Sequence, residues 1–142
     1  MVRNLKFIKN DIESYFNSHL MVNTIKFGDI DNLSTYKDIH YPLVNFEFID
    51  SKYKFGFKNS AKFQFHIMDL SNDFNEFDVI DSCHEIANDY LKYLEGHFEI
   101  EIQSNISLVP FGDDFGDRCA GVAFMVEFNV HRNNCEDILP TT

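Results

Sequence analysis

Three cysteines and six histidines are the side chains of this sequence best suited to nucleophilic or metal chemistry, and their spacing decides whether they perform it. Cys83 and His84 are neighbours. A thiol becomes a catalytic nucleophile when a base is aimed at it, and adjacent helix positions do not face each other. No third group is in place to orient the imidazole. The pair therefore reads as a small hydrophobe, Cys83, beside a histidine on the edge of a buried stripe. His131-x-x-x-Cys135, with Cys119 upstream, has ligand-like spacing. A closed zinc site takes four ligands, no C-x-x-C supplies the missing ones, and only Cys83 or His84 could complete the set. His131 reads instead as a residue on the solvent face of the last strand, and no metal is expected.

The acidic residues give no better site. Asp113-Asp114-Phe115-Gly116-Asp117 lacks the Asp-x-Asp-x-Asp-Gly spacing and distant Glu of a calcium loop. Glu99 and Glu101 alternate with Ile100 and Ile102, which places both carboxylates on the wet face of a strand rather than in an environment that separates their pKa values. There is no G-x-x-x-x-G-K-[ST] and no G-x-G-x-x-G. The closest glycines, Gly112 and Gly116, stand among acids that would repel a phosphate. No catalytic, cofactor-binding or metal-binding residue emerges, and the chain is not expected to be an enzyme. One segment stands out for another reason. Pro110–Arg118 reads as a loop between two strands, and it holds Phe111 and Phe115 among Asp113, Asp114 and Asp117. Aromatic anchors within a polar rim suit a contact surface, so these five residues are the candidate interaction site.

The elements that must carry such a surface are legible in the periodicity. Leu5, Ile8, Ile12, Phe16 and Leu20 recur at spacings of three and four, with Lys6, Lys9, Asp11 and Glu13 opposite: an amphipathic helix. Val22–Phe27 reads as a short strand ended at Gly28-Asp29, and Asp29–Tyr41, without a period, as a surface loop. Pro42 opens a strand through Ile49. Asp50-Ser51-Lys52 and Lys58-Asn59-Ser60 read as turns, so that Leu43–Ile49, Tyr53–Phe57 and Ala61–Ile67 form a three-stranded antiparallel meander. Gly56 points to a bulge or a close backbone approach. A second helix starts at an Asn75 N-cap with Phe74 and Val79 as a hydrophobic staple. It buries Phe77, Ile80, His84, Ala87, Leu91 and Leu94, and stops at Gly96. Strands follow over Phe98–Ile102, continuing toward Leu108, and over Val122–Val130. The order predicts an α+β domain, a mainly antiparallel sheet with two amphipathic helices packed on it. Residues 1–132 are expected to form that single domain and 133–142 a polar C-terminal tail.

Composition narrows the partners. Of 142 residues, 23 are acidic and 12 are Lys or Arg, for a formal net charge of −11. A surface that grips phosphates needs clustered cations. The nearest to a cluster, Lys52, Lys54, Lys58 and Lys62, falls in the predicted hairpin, where edge lysines protect against edge pairing. Direct nucleic-acid binding is not expected. No apolar run reaches the ~18–20 residues that span a bilayer, no signal peptide is visible at Met1-Val2-Arg3-Asn4, and three cysteines make no disulfide framework, which together predict free thiols in a reducing cytoplasm. The chain holds 16 Phe and 6 Tyr. Such loading exceeds what a compact monomer needs, so either some rings face partners or the core uses Phe where others use Leu.

The order of elements resembles that of phage tail terminator and head–tail connector proteins. The resemblance lies in the leading amphipathic helix, the strand opened by Tyr41-Pro42-Leu43-Val44, the Phe-rich hairpin and the helix entered through an Asp- and Asn-rich stretch. The closing segment is similar to the C-terminus of such proteins in Bacteroidetes phages, the crAss-like phages among them: Arg118-Cys119-Ala120-Gly121-Val122-Ala123-Phe124, then Phe128-Asn129-Val130, Asn134-Cys135-Glu136 and Pro140. The resemblance covers nearly the whole chain. It implies a structural virion protein that forms a homo-oligomeric ring of six or twelve copies in the neck or tail. The ring would be assembled in the host cytoplasm and stacked on portal, neck or tail proteins. It also implies a channel through which DNA passes without sequence-specific binding, and it carries no catalytic residues and no cofactors. The acidic balance agrees, because attractive contacts would retard DNA in such a channel. The competing expectation is a small phage-encoded binding protein, or a ligand-binding α+β domain acting on a host or small-molecule partner.

Overall fold

The computed structural model describes residues 5–35, 39–53, 55, 58–97, 100–114 and 118–131. In chain order these form helix α1 (Leu5–Ser18), strand β1 (Thr24–Phe27), a 3₁₀ helix (Ile30–Thr35), the strands β2 (Leu43–Tyr53) and β3 (Lys58–Leu70), and helix α2 (Glu76–Glu95). Strands β4 (Glu101–Ile102), β5 (Val109–Asp114) and β6 (Arg118–His131) complete the fold. The sheet runs β1-β2-β3-β6-β4, with β5 also paired to β6. All pairings are antiparallel except β1 with β2. The predicted α+β class, two helices on a mostly antiparallel sheet, is the architecture observed.

Alternation along β2, β3 and β6 sends Val44, Phe46, Ala61, Phe63, Phe65, Ile67, Val122, Phe124, Val126 and Phe128 to one face, all of them buried. Both helices pack there: Ile8, Ile12 and Phe16 of α1 and Cys83, Ile86, Ala87, Tyr90 and Leu94 of α2 close the core. Aromatic rings dominate it. Phe65 stacks on Phe124 at 4.9 Å and meets Tyr90 at 5.2 Å, and Phe16 lies 4.8 Å from Tyr90. On the opposite face, among the described residues, Ile30, Ile39, Tyr41 and Phe111 pack on Leu43, Met68 and Cys119 at one end. Gly121 is required where β6 passes β3, since a Cβ there would lie 1.8 Å from the Ile67 carbonyl oxygen.

Several expectations are corrected. The three-stranded meander is one long hairpin: Asp50-Ser51-Lys52 continues β2 and Lys58-Asn59-Ser60 opens β3, with Tyr53 opposite Asn59. Their polar composition does not make a turn, because strand pairing continues through both stretches. The bulge falls between Phe48 and Asp50, and Gly56 lies outside the described residues. α1 ends at Ser18, leaving Leu20 exposed, and the Asp29–Tyr41 loop contains the 3₁₀ helix. α2 is rotated from the predicted stripe: Phe77 is exposed, and the buried line is Cys83, Ile86, Ala87, Tyr90 and Leu94. The staple is absent because Phe74 is exposed, and the Asn75 side chain does not cap the helix. Gly96 ends the helix with φ −87° rather than a left-handed turn. Only Glu101–Ile102 of the strand expected from Phe98 forms, Phe98 and Glu99 being outside the described residues. The segment Pro110–Arg118 is not a loop: its first half belongs to β5. The tail at 133–142 also lies outside the described residues.

β4 and β5 share one edge of β6, β4 opposite Phe128–Asn129 and β5 opposite Arg118–Ala123. Between them the Gln103 side chain takes the place of a strand. Its Nε2 donates to the Met125 carbonyl at 3.1 Å, and its Oε1 accepts from the Glu127 N–H at 2.8 Å.

Candidate functional site

Of the predicted interaction residues, Phe111, Asp113 and Asp114 stand in strand β5 rather than in a loop. Phe111 stands opposite Gly121. It is half-buried against Leu43, Met68 and Cys119, with its edge 5.5 Å from His66. Phe111 thus belongs to the small core under the open face and is corrected as a free anchor. Asp113 and Asp114 pair opposite Cys119 and Arg118, while Phe115 and Asp117 lie outside the described residues.

Exposed apolar side chains occur at several places, Leu20 among them, but the most exposed aromatic rings among the described residues stand at the two ends of the long strands. At the hairpin tip Tyr53 is 66% and Phe55 97% exposed, their rings edge to face at 5.7 Å. At the far end of β3, Leu70, Phe74 and Phe77 are exposed, the two rings by 98% and 78%. The segment presenting Phe74 is tied down. Asn72 Oδ1 accepts from the Phe74 and Asn75 N–H groups at 2.9 and 3.1 Å, and Asn75 Oδ1 accepts from the Asn72 N–H at 2.7 Å. Arg118 forms an ion pair with Asp73, and the Ser71 N–H donates to the Arg118 carbonyl at 3.0 Å. Phe74 is therefore held outward by a fixed turn.

The groups capable of chemistry are arranged against it. Between the helices, Tyr93 Oη donates to Asp11 Oδ1 at 2.9 Å and His97 Nε2 lies 3.6 Å from the same oxygen. Burial first, then the hydrogen bond to Asp11 and its charge, push the Tyr93 hydroxyl up to about 12. Tyr90, fully buried beside them, moves the same way. Both hydroxyls stay protonated at neutral pH, and that of Tyr93 joins α2 to α1. Asp11 Oδ2 and the Tyr90 hydroxyl have no hydrogen-bond partner among the described residues. Burial, with Asp69 and Cys119 nearby, pushes the Cys83 thiol up to about 12. Its sulfur lies 3.9 Å from the Ala120 carbonyl, and His84 Nδ1 is 3.2 Å from Asn88 Nδ2, so the sequence neighbours do not act as a pair. Cys119 and His131 stand near opposite ends of β6, ~40 Å apart at strand rise, too far to share an ion. Cys135 lies outside the described residues, and Glu101 is exposed on β4 without Glu99 described beside it.

A groove of about 660 Å³ lies between the C-terminal half of α2 and β4, lined by Leu91, Leu94, Ile102, Ile106, Gln103 and Asn129. Its size suits a small ligand, but the Gln103 amide is already engaged with β6. No family model matches the chain, and no curated protein is similar to it.

The sequence contains the signal for the exposed ends in hindsight. Phe77 sits between Glu76 and Asp78 in the first turn of α2, whereas Cys83, Ile86, Ala87, Tyr90 and Leu94 form a stripe that excludes it. Two apolar stripes overlap in this helix, and only the packing selects one.

Proposed function

We propose that the chain is a ring-forming structural subunit of a bacteriophage neck or tail, a head–tail connector or tail terminator present in the virion after assembly in the host cytoplasm. The observation that carries this reading is the pair of unlike apolar surfaces at opposite ends of one sheet, Tyr53 with Phe55 and Leu70 with Phe74 and Phe77. A surface that meets a different surface on the next copy generates a ring when the rotation closes. The resemblance of element order and of the Arg118–Phe124 segment to such proteins supports it, as does a net charge of −11 on a wall past which DNA must slide. No catalytic role is assigned.

The groove beside β4 favours a second reading, a small binding protein for a host or small-molecule partner. It ranks lower because Gln103, whose amide lines it, is already bonded to Met125 and Glu127 of β6. Mass spectrometry of purified virions separates the two. The ring reading requires the chain at six or twelve copies per particle, and virions without it would end that reading.

A further inference from the structure

The two exposed ends are unlike in shape and opposite in charge. Residues 51–62, which contain the hairpin tip, carry Lys52, Lys54, Lys58 and Lys62 and no acid. Residues 69–85, which contain the far end of β3 and the start of α2, carry six acids and no Lys or Arg. Among the described residues Lys52 is exposed at the tip, with Asp50 exposed behind it opposite Lys62, and Asp73, Glu76, Asp78, Asp81 and Glu85 are exposed at the other end, where Arg118 is paired with Asp73. Lysines are otherwise sparse in this acidic chain, so four of them within residues 51–62 set this segment apart.

The ends cannot serve as one patch. From Asn59, opposite Tyr53, to Leu70 the strand runs about 36 Å. A symmetric dimer through the tip would bring lysines against lysines, and one through the α2 end would bring acids against acids. Tip against α2 end brings opposite charges together and buries aromatic rings on both sides, the composition that carries most interface energy.

We propose that the hairpin tip of one copy, through Tyr53, Phe55 and Lys52, docks on the α2 N-terminal end of the next, through Leu70, Phe74 and Phe77 with Glu76 and Asp78 around them. The partner is a second copy of this chain. The assignment rests on the ring reading above and names the contact that would close it. The hairpin is then an arm, and its Phe74-bearing counterpart is held ready by the Asn72–Asn75 turn and the Asp73–Arg118 pair.

The test uses the full chain in sedimentation velocity and native mass spectrometry, with melting temperature followed throughout. Phe55→Ser disables the tip, and Phe74→Ser with Phe77→Ser disables the receiving end. Each variant alone should associate at least tenfold more weakly than the parent chain, with unchanged melting. Mixed in equal amounts, they should form dimers and nothing larger, because each retains one intact half of the contact. Lys52→Glu should weaken association, and combining it with Asp78→Lys should restore part of the loss. Persistence of the parent assembly in either disabled variant would overturn this contact while leaving the ring itself standing. A parent chain that stays monomeric at all concentrations and is missing from virions would remove both.

Discussion

At the base of the β2–β3 hairpin Phe46, Phe63 and Phe65 are sealed beneath the helices. At its tip Tyr53, the last residue of β2, and Phe55, between the strands, stand in water. The bulge between Phe48 and Asp50 shifts β2 by one residue and sets Tyr53 opposite Asn59, on the face that continues from Phe63; what changes along that face is the cover. At standard rises the 14 residues of α1 span about 21 Å and the 20 of α2 about 30 Å, against about 43 Å for the 13 residues of β3. The strands outrun the helices, and the same apolar pattern means core at one end and contact surface at the other. An aromatic residue on a strand face is therefore evidence about the face, and the length of the neighbouring layer decides its burial.

Substitutions at the two ends should differ sharply. Gly121→Ala, at the base, is expected to be the most damaging. Its Cβ would meet the Ile67 carbonyl at 1.8 Å, so backbone must move, at a cost above ~4 kcal/mol, read as loss of the cooperative melting transition. Phe65→Ala should remove about 3–5 kcal/mol by opening a cavity between Phe124, Tyr90 and Phe46, measured by urea unfolding. Tolerance of either change would mean that the base is less tightly closed than described.

Tyr93→Phe should cost about 1–2 kcal/mol by leaving Asp11 with one donor fewer, and it carries a pH signature. The Tyr93 hydroxyl is held above its ordinary value of 10.0, at about 12. Its contribution is complete below pH 10 and is lost as the pH rises from 10 toward 12, because the unfolded chain ionises first. Unfolding midpoints across that window should fall less steeply in the variant, although Tyr90 still titrates in the same direction. Equal slopes would place the stabilisation elsewhere. Smaller still, Gln103→Ala should cost about 1 kcal/mol and speed hydrogen exchange at the Glu127 amide, since the side chain alone bridges the gap between β4 and β5. At the tip, Phe55→Ser should shift stability by less than ~0.5 kcal/mol; a larger loss, by calorimetry, would make the tip part of the fold.

What the sequence disclosed follows the same division. Where a layer is buried, periodicity placed the residues correctly: Ile8, Ile12 and Phe16, the inner face of β3, and Val122 through Phe128. Where strands carry polar residues, polarity was mistaken for a turn, at exposed Asp50-Ser51-Lys52 and at Lys58-Asn59-Ser60, which pairs with β2 and β6. In Pro110–Asp114 the glycine and aspartates hid a strand whose pairing partner, Arg118–Ala123, confers its conformation. The sequence also marked Phe111 as unusual in a polar segment, but not that Leu43, Met68 and Cys119 on three other strands make a seat for it. Pairings and seats of this kind depend on residues distant in sequence and leave no local period.

The overhang of β2 and β3 has one more consequence. β3 stays paired with β6 as far as Lys58 opposite His131, so its length is tied to that of β6 as well as β2. One residue added to β3 alone would slip both registers and turn the later side chains to the opposite face, whereas two residues added to each of the three strands would keep the facing and lengthen the sheet by about 7 Å. The three strands are in this sense rulers graduated in pairs of residues and cut to one length together.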